Sequence, residues 1–414
     1  MDVRMQPGTE AGQRFVGLAE VHAKEAAQHA DRHDREGTFP IEAFDAMKTS
    51  GFLTATVPEE FGGFGLTSGY DLAVALSRLA HGDGSTAIAA NMHLVFGLIA
   101  ARNLRRARAR GDDEEATAME GYLTLLGSGS IGMANATEGG TDLLHPLVEA
   151  TRVDGGWAIN GRKIFSTLSP IADLFFVPIR MHKEDGTWAS GFAIVPRGTP
   201  GQQILDNWDA VGMRASGSHD VVYENCVVPA EFVTIGEGWG EWFEDFLIIG
   251  TVGNIGLLGA FVGIAESAHG FAVDMARTRK KAPSGRSLAE RSGIQHQVAE
   301  SEADLATCRA LVERVGRLID HHGLERPAAE VSIEELHELN REFQCAKLVV
   351  NRSCIDVVDR SLTASGGAGY LSSNVLSRLY RDVRAGPFMQ PFSPNEAYEY
   401  IGQVALGLTP RLDD

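Results

Sequence analysis

Disulfide frameworks and cysteine-based metal sites are both missing from this sequence. Its cysteines, Cys226, Cys308, Cys345 and Cys354, are scattered along the chain and no C-x-x-C pair occurs. This spacing favours reduced thiols in a cytoplasm over a disulfide framework. We therefore expect four small core residues in a cytoplasmic protein.

Long uninterrupted apolar runs are also missing. The first ten residues lack the apolar stretch of a signal peptide, and the longest apolar run, near 246–265, is broken by glycines and an asparagine. Neither a signal peptide nor a membrane span is predicted.

Positive charge is in deficit, because the chain has 37 Lys and Arg against 55 Asp and Glu, a formal net charge of -18. A surface of this sign repels nucleic-acid phosphates and anionic membranes, so neither is expected as a partner. Any phosphate site must therefore be local. The densest basic cluster comprises Arg102, Arg105, Arg106, Arg108 and Arg110. Because the acidic segment GDDEEA follows it, we favour a solvated helix face over a phosphate site.

Most catalytic and metal-binding motifs are absent too. No G-x-S-x-G elbow or Walker loop occurs. The stretch GSGSIG (127–132) matches the dinucleotide-binding pattern, but hairpin signals follow it where that pattern requires a helix. His29 and His33 lie one helical turn apart without a third ligand, which favours surface histidines over a metal site. The adjacent His321 and His322 point apart, so no metal site is predicted.

Three regions differ in the period of their apolar residues. Residues 1–122 are mostly helical in pattern, with a first amphipathic stretch from Phe15 to His33 and a second that opens at Pro40. Residues 123–235 change to a period of two, with hairpin signals at Asp154-Gly155, Asn160-Gly161 and Asp185-Gly186. We predict domains at 1–122, 123–235 and 236–414. The fold class is mainly α with a central β domain.

The carboxy-terminal region returns to the helical period and shows two apolar stripes. The first stripe is Leu305, Cys308, Val312, Val315 and Ile319, and the second is Leu348, Ile355, Val358 and Leu362. Both stripes predict long helices that face the core of a bundle.

Five segments together carry a family resemblance. They are VPEEFGGFGL (57–66), ANATEGGTDL (134–143), NGRKIFSTLSPIADLFFV (160–177), GMRASGSHDVVYENCVVP (212–229) and TASGGAGYL (363–371). In order and spacing they resemble the acyl-CoA dehydrogenase superfamily over nearly the whole chain. The resemblance implies a helical domain, a β-barrel or sandwich domain and a four-helix bundle, in a homotetramer that binds a flavin, FAD or FMN.

The same resemblance implies a set of flavin-binding residues. Ala136, Thr137 and Thr141 would lie against the flavin ring and phosphates, and Phe165 and Thr167 against the other face of the ring. Phe165 stands where dehydrogenases often carry Trp. The remaining implied contacts, to the dinucleotide of a neighbouring subunit, come from Arg279, Gly366 and Gly367.

The catalytic base of the dehydrogenases is not found at its expected position. In that family a Glu follows an Arg-Asp pair at a fixed spacing, and counting from Arg381-Asp382 reaches Gln390. An amide cannot remove a proton near neutral pH, a role that contributes on the order of 10²–10⁴-fold in rate. No catalytic residue is therefore assigned. Some relatives keep the base on the first bundle helix instead, but the corresponding window, LIIGTVGNIG (247–256), holds no carboxylate and Glu244 lies just outside it. Glu244 and Glu396 remain candidates for a relocated base.

A flavin site without a carboxylate base resembles the monooxygenase branch of this superfamily. There a reduced flavin, supplied by a separate reductase, forms a C4a-hydroperoxide with O2 and oxidises a nucleophilic substrate. The segments FSTLS (165–169) and SGSHDV (216–221) and the closing region look most like the amino-sugar nitrososynthases, whose substrate is a nucleoside-diphosphate amino sugar. Carried over by position, Arg384 would hold the diphosphate and Phe388 would wall the sugar pocket beside Gln390.

Other interpretations stay open at this point. The chain is alternatively an acyl-CoA or acyl-carrier-protein dehydrogenase with a relocated base, or a catalytically silent flavin-binding scaffold. The aromatic loop near Phe388 alternatively only packs against the end of the bundle. Arg384 alternatively pairs with Asp382 or with a helix end.

Overall fold

The computed structural model of this chain describes residues 2–327, 331–389 and 391–412. Gln390, the residue at the position of the dehydrogenase base, lies outside the described residues. The helices are α1 (Glu10–Glu36), α2 (Ile41–Thr49), α3 (Gly69–Gly82), α4 (Gly84–Arg110), α5 (Asp113–Gly127), α6 (Glu244–Thr278), α7 (Ser292–Leu318), α8 (Ile333–Ser365), α9 (Val375–Val383) and α10 (Pro394–Ala405).

All the longer strands lie between α5 and α6. The strands are β1 (Gly132–Ala134), β2 (Glu149–Val153), β3 (Gly156–Ser166), β4 (Leu174–His182), β5 (Trp188–Pro196), β6 (Gln202–Ile204), β7 (His219–Val228), β8 (Val233–Gly238), β9 (Lys280–Lys281) and β10 (Arg286–Ser287). The order of helices, then strands, then helices confirms the predicted fold class.

Local sequence signals account for where the helices begin and end. The Thr9 side chain caps α1 by accepting from the amide of Gly12, and Gly37 ends the helix in the left-handed region at φ 65°. Asp83 caps α4 through the amide of Thr86. A capping box at Ser332 starts α8.

The glycines that interrupt the longest apolar run allow α6 to approach α3 closely. A Cβ atom at Gly259 would lie 2.0 Å from the carbonyl oxygen of Ala73, and one at Gly263 would lie 2.1 Å from that of Ser77. Helices α4 and α6 are long and apolar enough to cross a membrane by composition, but 89% of each apolar window is buried inside the fold. They are therefore core helices of the fold.

The central sheet has the strand order β6-β7-β3-β2-β4-β5-β8, with β1 parallel to β4. Asp154-Gly155 joins β2 to β3 and Asp185-Gly186 joins β4 to β5, so both of these hairpin predictions are confirmed. The prediction at Asn160-Gly161 is wrong, because both residues lie inside β3 at an irregularity in its pairing with β7. The asparagine-glycine signal here marks a bulge, which needs the same unusual backbone as a turn.

The apolar stripe on α7 is confirmed, since all its residues are buried. The stripe predicted on α8 is only partly in the core. Val358 is buried, but Leu348 and Ile355 are half-buried and line a cavity on the other side of the helix. Cys345 is also on an outer face of α8 and is exposed, contrary to expectation, while Cys226, Cys308 and Cys354 are buried.

Candidate active site

A buried hydrogen-bond network holds the loop that follows β1. The Asn135 side chain donates to the Tyr223 hydroxyl at 2.6 Å and accepts from the Ser166 hydroxyl at 2.6 Å. The backbone N–H of Asn135 also donates to the carbonyl of Phe176 at 2.9 Å. These bonds join the loop to β3, β4 and β7, so the backbone that follows Asn135 is held in one position.

A largely buried ion pair lies beneath the same loop. Lys163 on β3 pairs with Glu138, and its ammonium group is 3.4 Å from the carbonyl oxygen of Ala136. Glu138 also accepts from the backbone amides of Leu147 and Val148. Burial lowers the pKa of Lys163 to about 8, while its attraction to Glu138 opposes that change.

Two of the predicted cofactor-binding residues, Ala136 and Thr137, lie directly above this ion pair. The Thr137 carbonyl accepts from the amide of Ile164 at 2.9 Å. The backbone N–H groups of Ala136 and Thr137 have no acceptor in the part of the chain that the structure describes. Successive free N–H groups of this kind fit the acceptor-rich edge of a flavin ring.

Phe165 and Thr167 lie beside them, where β3 ends. Phe165 has a φ of 52° and Leu168 a φ of 76°, values that side chains larger than glycine rarely adopt. Phe165 is 57% exposed and forms an edge-to-face pair with Trp208 at a centroid distance of 5.7 Å. The Thr167 hydroxyl is 2.8 Å from that of Ser218.

We call Ala136, Thr137, Phe165 and Thr167 the β-domain face. Their arrangement combines free amide donors, an exposed aromatic ring and a hydroxyl group on a backbone fixed from below. This combination fits an aromatic heterocycle with polar edges, and therefore fits a flavin.

The other predicted cofactor-binding residues lie elsewhere. The Thr141 hydroxyl donates to the His145 carbonyl at 2.6 Å, within its own loop. Arg279, at the end of α6, donates to the carbonyl of Ser365 at 3.4 Å, immediately before Gly366 and Gly367. The structure thus brings Arg279 and the glycine turn together. In the described part of the chain, no hydrogen bond or ion pair connects them to the β-domain face.

A cavity of about 410 Å³ lies between α8 and the segments 384–389 and 391–398. We call it the α8 cavity. Arg384 and Phe388, the two predicted substrate-binding residues that the structure describes, both line it. The full lining is Lys347, Leu348, Asn351, Arg352, Ile355, Asp356, Arg384, Pro387, Phe388, Phe392, Pro394, Ala397 and Tyr398.

Arg384 is exposed at the rim of this cavity, and its guanidinium group has no hydrogen bond or ion pair with any described residue. The same is true of Arg352, which faces the cavity from α8. The alternative in which Arg384 pairs with Asp382 is wrong, because Asp382 is buried and accepts from the Met213 amide at 2.7 Å. These two guanidinium groups outnumber the exposed carboxylate of Asp356 in the same lining, so the rim is locally cationic in a strongly acidic protein.

Lys347 holds the loop on both sides of position 390. Its ammonium group donates to the Phe392 carbonyl at 2.6 Å and also to the Met389 carbonyl. Burial lowers the pKa of Lys347 to about 7. Because both carbonyls bond one buried group on α8, the aromatic loop is fixed against that helix.

The two carboxylates that remained candidates for a relocated base are both engaged elsewhere. Glu244 pairs with Arg102 and Arg106. Glu396 accepts from the Ser393 amide at 2.6 Å as part of the capping box of α10. Neither residue lines the α8 cavity.

The arginine cluster on α4 is not a wholly solvated face. Arg102 and Arg106 are only 3% and 8% exposed, while Arg105, Arg108 and Arg110 are exposed. The prediction is wrong for the two buried residues because Glu244, distant in sequence, supplies their counter-charge.

The surface assignment of the histidine pair is also half wrong. His29 is exposed, but His33 is buried between Thr38 and Glu42, with contacts of 2.8 Å to each. Among the described residues no group of three His, Cys, Asp or Glu side chains is arranged to hold a metal ion.

Several lining residues of the cavity were not predicted from the sequence, among them Lys347, Asn351 and Arg352 on α8. Their only sequence signal is the spacing of polar residues within an apolar helix, and the same pattern is typical of a solvated face. Their role becomes visible only because segments 384–389 and 391–398 fold back over α8.

Comparisons with known proteins agree with this geometry. Sequence profiles of the acyl-CoA dehydrogenase N-terminal, middle and C-terminal domains match residues 17–102, 130–226 and 255–392. Amino sugar nitrososynthase DnmZ of Streptomyces peucetius is 36% identical over 97% of this chain and 95% of its own length. This protein belongs to the acyl-CoA dehydrogenase family, in its nitrososynthase branch.

Two further relatives support the assignment to this family. L-evernosamine nitrososynthase of Micromonospora sp. is 37% identical over 97% of this chain and 92% of its own length. Among solved structures, KijD3 in complex with FMN and dTDP-3-amino-2,3,6-trideoxy-4-keto-3-methyl-D-glucose has a TM-score of 0.90. KijD3 is 33% identical to this protein, and the match covers 98% of this chain and 96% of the KijD3 chain.

Proposed function

We propose that this protein is a flavin-dependent monooxygenase that oxidises the amine of a nucleoside-diphosphate amino sugar to a hydroxylamine and then to a nitroso group. The observation that carries the proposal is the α8 cavity, where two unpaired arginines face a loop fixed by Lys347. DnmZ is named as an amino sugar nitrososynthase, and KijD3 binds FMN together with a nucleotide-linked amino sugar.

The flavin, which we propose to be FMN, would lie against the β-domain face. When bound and reduced by a separate reductase, it supplies activated oxygen from O2 for the oxidation. The N–H groups of Ala136 and Thr137 would bind the polar edge of its ring, and Phe165 would cover one face. The Lys163–Glu138 pair keeps these amides in place.

The substrate would occupy the α8 cavity. Arg384 and Arg352 would bind the diphosphate, since a guanidinium group matches phosphate oxygens bidentately. Phe388 and the half-buried Leu348 and Ile355 would exclude water around the sugar. An excess of positive charge at the rim also attracts the anionic substrate.

No strong base is required for this reaction. A neutral amine already carries the lone pair that attacks an electrophilic oxygen, whereas dehydrogenation requires a carboxylate to remove a carbon-bound proton. Because Glu244 and Glu396 are held by other groups, the described residues favour the oxygenase over a dehydrogenase with a relocated base. We further propose a homotetramer that works in the cytoplasm.

Product analysis tests this function directly. The purified protein is supplied with FMN, a flavin reductase, O2 and a dTDP-linked 3-amino sugar, and the products are analysed by mass spectrometry. We expect hydroxylamine and nitroso sugars that depend on both O2 and the protein. In a parallel reaction under nitrogen, acyl-CoA is added to the oxidised flavoprotein. Bleaching of the flavin band by acyl-CoA, without oxidised sugar in the first reaction, would overturn the proposal in favour of a dehydrogenase.

A silent scaffold predicts a third result. Flavin would bind, but neither sugar oxidation nor bleaching by acyl-CoA would occur.

A further inference from the structure

The carboxamide of Asn351 is buried in the α8 cavity without a partner. The residue is only 4% exposed, and its oxygen accepts no hydrogen bond from the residues that the structure describes. Its nitrogen likewise has no acceptor among these residues. Buried polar side chains in native proteins are nearly always hydrogen-bonded, so an amide left unpaired at a cavity wall points to a ligand.

The surroundings of Asn351 make a structural role unconvincing. Gly386 lies opposite, where a Cβ atom would come within 2.5 Å of the Asn351 oxygen. The loop therefore makes room for this side chain without bonding to it. Lys347, one helical turn away, holds the loop by donating to the carbonyls of Met389 and Phe392.

The cavity has a charged rim and a buried floor. Arg352 and Arg384 are exposed at the rim, whereas Asn351, Lys347 and Phe392 are buried at the floor. The ammonium group of Lys347 already bonds two carbonyls, which leaves the Asn351 amide as the floor group with both a donor and an acceptor to offer.

A nucleotide sugar whose diphosphate lies at the rim can place only one end at the floor. The sugar is the smaller, uncharged or singly charged end, and it carries the hydroxyl, carbonyl and amine groups that a carboxamide bonds. The sugar is also the end of the substrate that reacts. The floor of the cavity lies next to the loop that Lys347 fixes, so a sugar bound there would meet rigid surroundings.

We propose that Asn351 is a specificity-determining residue that hydrogen-bonds the sugar ring of a nucleoside-diphosphate amino sugar at the floor of the α8 cavity. This inference rests on the function proposed above. Since the amide is offered to the sugar and not to the phosphates, its removal weakens binding of the sugar-bearing nucleotide while binding of the bare nucleoside diphosphate is preserved.

Calorimetric titration of the full-length protein with two probes, dTDP and a dTDP-linked 3-amino sugar, tests the proposal. Asn351→Leu keeps the side-chain size and leaves no partner unsatisfied, so the fold should survive, and Asn351→Ala is a second variant. We expect both variants to bind the amino-sugar nucleotide roughly ten-fold more weakly. Their affinity for dTDP should stay within about two-fold of the wild type.

Gln344→Leu is the matched control. Gln344 lies on the same helix, is fully buried and also has an unpaired side-chain oxygen, although its nitrogen donates to the Asn340 side-chain oxygen at 3.0 Å, and it does not line the cavity. We expect it to bind both probes like the wild type. Thermal unfolding of each variant checks that the fold is intact.

Two results would overturn the assignment of Asn351. One is unchanged affinity of both variants for the amino-sugar nucleotide, and the other is an equal loss for both probes, which would place Asn351 at the nucleotide. If the wild type binds neither probe, the proposed function fails first, and that result is distinct from a failure of Asn351 alone.

Discussion

The β-domain face and the α8 cavity offer free hydrogen-bonding groups in different ways. On the β-domain face the free donors are backbone amides of Ala136 and Thr137, fixed by paired side chains beneath them. In the α8 cavity the free groups are the side chains of Asn351, Arg352 and Arg384 themselves.

This difference predicts what substitutions do in each region. Replacing a buried side chain under the β-domain face removes support from the fold, so the free energy of unfolding falls. Replacing a free side chain in the cavity removes contacts with a ligand, so affinity falls while stability is kept. The predictions below test this division.

The largest effect is expected for Lys163→Met, which leaves the carboxylate of Glu138 buried without its partner. Such a change lowers the free energy of unfolding by about 3–5 kcal/mol. Denaturant unfolding measures it, and the exposed Lys183→Met is the control, with little expected change. A loss as small as that of the control would contradict the supporting role of the ion pair.

A second test concerns pH and a buried side chain that holds the start of β1. His93 is fully buried, donates from Nε2 to the Leu53 carbonyl and accepts at Nδ1 from the Gly132 amide at the start of β1. Burial lowers the pKa of His93 from 6.5 to about 4. The unfolded chain therefore binds a proton more readily, and the contribution of His93 to stability is lost as pH falls from 6.5 to 4.

The difference of about 2.5 in pKa is equivalent to about 3 kcal/mol. In His93→Gln, unfolding measured by denaturant should show a correspondingly flatter fall in stability over this pH range. An unchanged slope would show that other groups control the acid sensitivity.

In the cavity, Arg384→Ala should act on binding alone. Hydrogen bonds to a charged group are worth about 1.5–3 kcal/mol, so affinity for the dTDP-linked amino sugar should fall by roughly ten-fold to a hundred-fold. Affinity for dTDP should fall equally, because both ligands share the diphosphate. Calorimetric titration gives both values, and Arg35→Ala, an exposed arginine on α1, is the control. A fall in thermal stability without a change in affinity would contradict the proposal that free side chains in the cavity contact a ligand and do not support the fold.

Phe165 is an exception to the division between the two regions, because it is an exposed side chain on the β-domain face that we expect to contact the ligand. Phe165→Ala should weaken FMN binding by only a few fold, since an aromatic contact contributes about 0.5–1.5 kcal/mol. Phe165→Trp should keep the affinity. Fluorescence titration of the apoprotein with FMN measures both, and equal affinity in Phe165→Ala would remove Phe165 from the flavin site.

Much of the architecture could be predicted because it depends on local patterns. The hairpins at Asp154-Gly155 and Asp185-Gly186 and the buried stripe on α7 follow from turn chemistry and apolar period. The failures have a common cause. The sequence predicts a turn at Asn160-Gly161, but both residues lie in β3, which pairs with β7, a strand distant in sequence. It also predicts solvent exposure for Arg102 and Arg106, but the distant Glu244 pairs with both.

The sequence by itself determined the fold class, the family and the absence of a carboxylate at the position of the dehydrogenase base, since each depends on residue types in a fixed order. Only the tertiary structure decided which charged groups stay unpaired. Arg384 and Arg102 look alike in the sequence, but folding buries Arg102 and gives it the carboxylate of Glu244 as a partner, whereas Arg384 is left at the rim of a cavity. The physical reason is that ion pairing and burial depend on neighbours in space, which residues far apart in the chain supply.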